Sequence, residues 1–95
     1  MGQDKKAYTL KYHRLVPADL EALDTFWQQQ VLIAIEDKLV THPDLFGKPL
    51  RHSLKGCRTR RVGDYRIVFR VEHRTVRILA VVHRSTKYKG VEGRI

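Results

Sequence analysis

Alternating apolar and polar positions in the second half of the chain predict β-strands. In the stretch from Tyr65 to Glu72, every second residue is aromatic or aliphatic and most of the others are charged. That period of two is typical of a strand with one buried face. Cys57–Val62 and Val76–His83 are predicted as the strands that precede and follow it in the chain. Gly63-Asp64 fits a two-residue hairpin turn between Cys57–Val62 and Tyr65–Glu72.

The first half shows the three-to-four-residue period of helices, preceded by one alternating segment. "AYTLKYHRL" predicts a strand, and Pro17 suits the first turn of a helix in "PADLEALD". A longer helix is predicted from Phe26 to Val40, with Asp24 or Thr25 as its N-cap. Its apolar positions recur at helical spacing: Trp27, Val31, Ala34, Ile35 and Leu39. "LFGKPL" is interpreted as a connecting loop that inserts Leu45 and Phe46 into the core.

These elements predict one α+β domain over residues 1–95, with a polar tail at residues 1–6. The predicted order is β-α-α-β-β-β, with two helices packed on one face of a mostly antiparallel four-stranded sheet. The longest apolar run, Val31 to Ile35, is far shorter than the roughly 18 residues of a membrane span. The N-terminal "MGQDKK" lacks the apolar segment of a signal peptide.

Cysteine and histidine usage argues against cofactor chemistry. The single cysteine excludes an intramolecular disulfide and a thiolate metal cluster. The five histidines have no metal-ligand spacing, and the chain has no glycine-rich phosphate loop. We therefore expect a cytoplasmic protein without metal, cofactor or membrane partner.

Charge is divided unequally along the chain. Residues 1–47 carry five Lys/Arg and seven Asp/Glu, whereas residues 48–95 carry fourteen and three, a net charge of +11. Such asymmetry predicts contact with a polyanion or with a strongly acidic protein. A merely solvated basic surface is the alternative.

The hairpin register predicts where the arginines point. A turn at Gly63-Asp64 puts Arg61 opposite Arg66, and a loop at Glu72–Thr75 puts Arg70 opposite Arg77. The same parity assigns one face to the core, comprising Tyr65, Ile67, Phe69, Val71, Val76, Ile78, Ala80 and Val82. The other face then carries the four arginines with Thr59 and His83, around Val68, Leu79 and Val81.

Two features of this register need a physical explanation. Like charges directly opposite on a sheet destabilise it by roughly 0.2–1 kcal/mol, so a phosphate bound between Arg61 and Arg66 is expected to offset their repulsion. Arg58 and Arg60 fall on the core face. Either their side chains extend past the sheet edge, or a bulge shifts the parity.

Three segments in this order resemble the RelE/ParE superfamily of toxins from type II toxin–antitoxin systems. They are "LFGKPL", "LKGCRTRRVGDYRIVFRV" and "AVVHRSTKY", and the resemblance covers residues from about 7 to 89. The spacing in "TRRV" and "GKPL" is closer to the RelE and YoeB members than to ParE. The resemblance implies a cytoplasmic toxin silenced by an acidic antitoxin; whether their complex is of higher order stays open.

RelE-like members cut mRNA in the A site of the 30S ribosomal subunit without metal, leaving a cyclic phosphate and a 5′-hydroxyl. The residues fit that chemistry: arginines can stabilise the developing charge, and a histidine near neutral pKa can transfer protons. The predicted catalytic residues are Arg61, Arg66, His83, Arg84 and Tyr88. The predicted RNA-binding residues are Lys55, Arg58, Arg60, Arg70, Arg77, Lys87 and Lys89.

The chain also departs from the family pattern. Thr59 stands where a basic residue is common, and the carboxylate base of YoeB-like members has only His52 as a loose substitute. Two alternatives therefore stay open: a ParE-like inhibitor of DNA gyrase, or an inactive member that acts only through antitoxin binding. Without the resemblance, His83 would be an ordinary surface histidine and Tyr88 a packing aromatic.

Overall fold

The chain folds as helices packed on one face of a five-stranded sheet, in a computed structural model that describes residues 8–95. The predicted polar tail lies outside the described residues. The strands are β1 Thr9–Tyr12, β2 Lys48–Pro49, β3 Arg58–Val62, β4 Tyr65–Glu72 and β5 Thr75–His83. The helices are α1 Val16–Glu21, α2 Thr25–Ile33 and α3 Pro43–Phe46. The sheet order is β1-β5-β4-β3-β2, with β1 parallel to β5 and the other pairs antiparallel.

Helix α2 begins where the sequence predicts. Asp24 accepts a hydrogen bond from the Trp27 amide at 3.3 Å and so caps the helix. The helix continues as a π-helical segment, Ala34–Leu39. The residues that face the sheet are the predicted ones, Val31, Ala34, Ile35 and Leu39, all buried. None of the helices in residues 8–95 is long and apolar enough to cross a bilayer.

The segment predicted as a plain connecting loop contains two short elements. Pro43 starts α3 because proline suits the first helical turn, and Lys48–Pro49 pairs with β3 as a fifth strand. Phe46 packs against the core as predicted, but Leu45 is 70% exposed, so its predicted insertion is wrong. The predicted order is correct in outline and lacks one helix and one strand.

A β-bulge in β5 reverses the face of the sheet on which each later residue of the strand was predicted to lie. Phe69 pairs with Ile78 as expected, but Val68 pairs with Ala80, which leaves Leu79 as an extra residue. Beyond the bulge, Val81 joins the helix-side core, while Ala80 and Val82 pack on the opposite face. The predicted faces of Ala80, Val81, Val82 and His83 are therefore wrong.

Apolar residues cover both faces of the central strands. The helix side holds the main core, and the opposite side holds a second cluster: Leu54, Cys57, Val68, Leu79, Ala80 and Val91. We call this set the second cluster. Cys57 is buried there as a small apolar group, and its burial raises the pKa of the thiol although Arg70 acts in the other direction. Two 3-10 turns, His52–Leu54 and Val91–Arg94, cover this face.

Replacing Gly63 with alanine is expected to destabilise the protein by about 1–3 kcal/mol. Gly63 has φ +58°, a left-handed conformation that alanine rarely adopts, and its added Cβ would overlap the Trp27 ring. Urea unfolding would measure the change. Gly93→Ala is the control, because a Cβ there meets open space. Equal stability of the two variants would contradict the prediction.

Candidate functional site

The predicted Arg61–Arg66 pair is present, and its charge is not neutralised within the described chain. Arg61 on β3 lies directly opposite Arg66 on β4. No Asp or Glu carboxylate of residues 8–95 makes an ion pair with either guanidinium. The second predicted pair differs, because Glu72 lies 3.6 Å from Arg70 and 3.8 Å from Arg77. Of the two arginine pairs, only Arg61–Arg66 is without a carboxylate partner among residues 8–95.

Tyr88 holds the Arg66 guanidinium in place. Arg66 donates a hydrogen bond from Nη1 to the Tyr88 hydroxyl at 3.1 Å, and that hydroxyl lies 3.4 Å from Thr59 Oγ1. The centre of the guanidinium also lies 5.9 Å from the centroid of the Tyr88 ring. The Nε of Arg66 is buried and has no hydrogen-bond partner in residues 8–95. A guanidinium held by Tyr88 in this way can bind phosphate oxygens with its remaining N–H groups.

The arginine pair opens into a cleft of about 340 Å³ at the β3 edge of the sheet. Three of its lining residues come from the predicted site or its flank, namely Arg60, Arg61 and Arg66, and the others are Phe46, Lys48 and Thr59. Strand β2 is only two residues long and pairs with Arg58 and Thr59 alone. The rest of β3 therefore has no neighbouring strand on this side among the described residues, which leaves the cleft open.

Arg58 and Arg60 reach past the sheet edge on the helix side, the first of the two predicted alternatives. Arg58 donates to the carbonyl oxygens of Asp44 and Gly47 at 3.2 and 3.0 Å. Arg60 lies 5.3 Å from the centroid of the Phe46 ring. No register shift separates β3 from β4, so the bulge alternative does not apply to these residues.

His83 lies on the other face of the sheet from Arg66. It pairs with Tyr65, and the two rings meet edge-to-face with centroids 5.3 Å apart. Its Nδ1 accepts a hydrogen bond from the Ser85 amide at 3.1 Å, so the neutral ring carries its proton on Nε2. The predicted placement of His83 beside Arg61 and Arg66 is wrong, because the bulge at Leu79 moves the His83 side chain to the opposite face of the sheet.

The remaining predicted residues are spread over the surface. Arg84 is exposed and lies 3.5 Å from the Asp64 carboxylate. Lys87 and Lys89 line a second, wider depression with Ser85, Thr86 and Gly90, and Lys55 is exposed. Arg70 and Arg77 share the face of Arg66, but buried Val68 of the second cluster lies between Arg66 and Arg70. The structure therefore brings together Arg61, Arg66 and Tyr88, and not the whole predicted set.

Comparison with known proteins places this arrangement in a family. The family profile described as "ParE toxin of type II toxin-antitoxin system, parDE" matches residues 10–88. Toxin RelG of Mycobacterium tuberculosis is 36% identical over 84 residues, which cover 86% of this chain and 97% of that protein. The chain belongs to the RelE/ParE superfamily. Toxin RelE of the same organism is 40% identical over 53 residues, so the match spans 54% of this chain and 55% of that relative.

Solved structures share the fold of this RelE/ParE protein. The toxin–antitoxin complex RelBE2 from M. tuberculosis matches with a TM-score of 0.78 and 32% identity, over 88% of this chain and 99% of that one. A mutant E. coli toxin RelE in the free state matches with a TM-score of 0.71 and 17% identity, over 94% of each chain. The chromosomal ParDE system of P. aeruginosa matches with a TM-score of 0.65 and 20% identity, over 81% of this chain and 96% of that one. The last two likenesses show the fold alone.

Sequence reasoning missed some of the residues that line the cleft of this RelE/ParE protein. Thr59 was predicted on the arginine face but was not assigned to the site, yet its hydroxyl lies beside that of Tyr88. Lys48 and Phe46 enter the cleft because β2 and α3 place them at the β3 edge. His52, the loose substitute for a carboxylate base, is exposed on a 3-10 turn. The signal available for Lys48 was its position in "GKPL", a segment of the family resemblance.

Proposed function

We propose that this RelE/ParE toxin is a metal-independent endoribonuclease that cuts mRNA on the ribosome. The observation that carries the proposal is the Arg61–Arg66 pair, which opens into a cleft and has no ion-pair partner in residues 8–95. A phosphodiester placed there would offset the repulsion of the two arginines and accept several charge-assisted hydrogen bonds. The hydroxyl groups of Tyr88 and Thr59 lie at the same place.

The proposed reaction is attack of the ribose 2′-oxygen on the adjacent phosphorus. The new bond joins the 2′-oxygen to phosphorus, and the bond from phosphorus to the 5′-oxygen breaks. The 2′-hydroxyl releases its proton to the surrounding water and one proton is delivered to the departing 5′-oxygen, so the products are a 2′,3′-cyclic phosphate and a 5′-hydroxyl. The step consumes no water, oxidant or metal.

Each group at the cleft has a role in this scheme. Arg66 stabilises the charge that develops on the phosphoryl oxygens, because its fixed guanidinium needs little reorganisation during the reaction. Arg61 is exposed and binds the incoming phosphate. Tyr88 accepts a hydrogen bond from Arg66 and donates a long one, 3.4 Å, to Thr59 Oγ1. In the proposed reaction its phenolic proton passes from that weak bond to the leaving oxygen. Lys48 and Arg60 flank the cleft and extend the positive field toward neighbouring phosphates.

An acidic antitoxin is the proposed protein partner. Residues 48–95 carry a net charge of +11, and a segment rich in Asp and Glu would be attracted to that half of the chain. Several of the similar solved structures are toxin–antitoxin complexes. Co-purification with the product of a neighbouring gene would test this proposal. A basic neighbour, or a pair that separates during purification, would contradict it.

Inhibition of DNA gyrase is the second candidate function, favoured by the description of the matching family profile. That function is one of binding and does not need the hydrogen bond between Arg66 and Tyr88. The inactive alternative, antitoxin binding alone, predicts no growth arrest. The two binding functions and the nuclease function therefore differ in what induction of the toxin does to a cell.

Induction of the toxin followed by mapping of mRNA 5′ ends distinguishes these functions. New 5′-hydroxyl ends inside coding regions are expected for the nuclease. A DNA-damage response with intact mRNA would overturn that proposal in favour of gyrase. In vitro, cleavage should require ribosomes, leave a 2′,3′-cyclic phosphate, and weaken steeply with salt because several lysines and arginines displace counterions from phosphates. Fragments that carry a 5′-phosphate and a 3′-hydroxyl, the products of hydrolysis by a metal-activated water, would contradict the metal-independent mechanism.

A further inference from the structure

One edge of strand β5 is completed by side chains instead of a strand. Strand β1 pairs with β5 only from Thr75 to Ile78, and His13 adds a last backbone hydrogen bond to the Ile78 carbonyl at 2.8 Å. The Leu79 bulge follows immediately. Beyond it, no strand of residues 8–95 pairs with the outer edge of β5.

Asp19 and Arg94 occupy that edge as an ion pair. Asp19 on α1 accepts two hydrogen bonds from Arg94, at 2.6 and 3.0 Å. The carboxylate also accepts the Val81 amide at 2.9 Å, and the guanidinium donates to the Leu79 carbonyl at 3.0 Å. The pair thus replaces both the acceptor and the donor that a further strand would supply. With side chains only 13% and 19% exposed, either charge would be poorly solvated without the other.

Arg94 belongs to the same segment as Tyr88. The segment after β5 is fixed at one end by the hydrogen bond from the Arg84 amide to the Asp64 carbonyl, at 2.8 Å. At the other end it is fixed by Arg94. Between these two points, Val91 is buried in the second cluster and its amide donates to the Tyr88 carbonyl at 3.1 Å.

The backbone at Tyr88 needs such support. Lys87 and Tyr88 have φ values of +53° and +64°, the left-handed region that residues with a side chain rarely adopt. A strained conformation of this kind persists only where the surrounding structure holds it. Its result here is that the Tyr88 hydroxyl meets Arg66 at 3.1 Å.

We infer that Asp19 and Arg94 are positioning residues for Tyr88. Their ion pair anchors the end of the segment from Arg84 to Arg94, so that strained Tyr88 keeps its hydroxyl on Arg66. The placement of Tyr88 is independent of any reaction, and only its effect on cleavage depends on the proposed function. A structural role limited to closing the sheet edge would leave Tyr88 unchanged in a folded variant.

Fluorine NMR on protein labelled with 3-fluorotyrosine tests the placement directly. The chain has four tyrosines, and Tyr88→Phe assigns the resonance of Tyr88. In folded Arg94→Gln and Asp19→Asn, this resonance should shift or broaden while those of the other tyrosines stay in place. Arg94→Lys is a milder variant that keeps the charge and loses the forked geometry, so a smaller change is expected. An unmoved Tyr88 resonance in folded variants would overturn the inference.

Kinetics on programmed ribosomes test the consequence. Arg94→Gln should lower the single-turnover cleavage rate by about tenfold to 10²-fold, the size of loss that a misplaced group causes, with ribosome affinity little changed. In a Tyr88→Phe background the same substitution should cost little more, because both changes act on one group. Fully additive losses would contradict the inference. Arg14→Gln removes an exposed arginine outside the ion pair and is the matched control.

The fluorine spectra and the cleavage kinetics can each contradict one claim without contradicting the other. If Tyr88→Phe cleaves normally, the proposed role of Tyr88 in the nuclease is wrong, yet the fluorine resonance still reports whether the ion pair holds the ring. If Tyr88→Phe cleaves slowly but the Tyr88 resonance is unchanged in the Asp19 and Arg94 variants, the assignment of Tyr88 to the nuclease site stands and the positioning role is wrong.

Discussion

Replacing Arg66 with alanine is expected to reduce the rate of mRNA cleavage by about 10²–10³-fold, as the loss of one preorganised donor to a developing oxyanion does. Arg66 is the half-buried member of the arginine pair, and Tyr88 fixes its guanidinium at 3.1 Å. Arg66→Lys keeps the charge without the planar fork and should recover only part of the rate. Single-turnover cleavage on programmed ribosomes is the measurement, and growth arrest after induction is the cellular counterpart.

The Arg66→Ala variant should remain folded. Removing one of two opposed like charges relieves a repulsion of roughly 0.2–1 kcal/mol, which offsets part of the lost packing of the side chain. Thermal unfolding by circular dichroism checks this expectation. Arg14→Ala, a change at an exposed arginine before α1, is the control. A folded Arg66→Ala protein that still arrests growth at the wild-type rate would refute the assignment of Arg66 and favour a binding function.

Tyr88→Phe should lower the cleavage rate by about 10²-fold, at the lower end of the effects seen when a proton donor is removed. The substitution keeps the aromatic ring and removes only the hydroxyl that meets Arg66 and Thr59. His83→Ala should have a much smaller effect, because His83 contacts Tyr65 on the other face of the sheet. The same ribosome assay measures both variants.

The contrast between the two variants decides which residue transfers the proton. A His83→Ala rate as low as that of Tyr88→Phe would show that His83 takes part in the reaction despite its position in the free chain. His83→Asn is a useful companion, because its amide oxygen lies at the position of Nδ1 and can still accept the hydrogen bond that the Ser85 amide gives to the histidine ring. Loss of activity in the alanine variant alone would then indicate a local structural role.

Sequence patterns predicted the elements in which polar and apolar residues alternate strictly. In β4, aromatic and aliphatic residues alternate with Arg66, Val68 and Arg70, so a slip by one residue would turn two arginines toward the core. The turn at Gly63-Asp64 predicted that Arg61 lies opposite Arg66, and the structure confirms this register. Helix α2 was predicted because Val31, Ile35 and Leu39 recur at intervals of four and Asp24 caps the start.

The position of His83 could not be predicted because the end of β5 has no such alternation. The run from Ile78 to Val82 is entirely apolar, and the second cluster gives both faces of this strand an apolar partner. Either register would therefore bury the same side chains at similar free energy. Asp19 and Arg94 bond to the Val81 amide and the Leu79 carbonyl at the bulge, and these two residues are far apart in the sequence and carry no local signal.

The parallel pairing of β1 with β5 bears on the order in which the chain acquires its structure. Strands β3, β4 and β5 follow one another through short turns, so their contacts close small loops and can form early. Thr9 pairs with Thr75, a contact that requires closure of a loop spanning most of the domain. Before that contact forms, the outer edge of β5 lacks its partner strand, and an unpaired edge of this kind invites pairing with other chains.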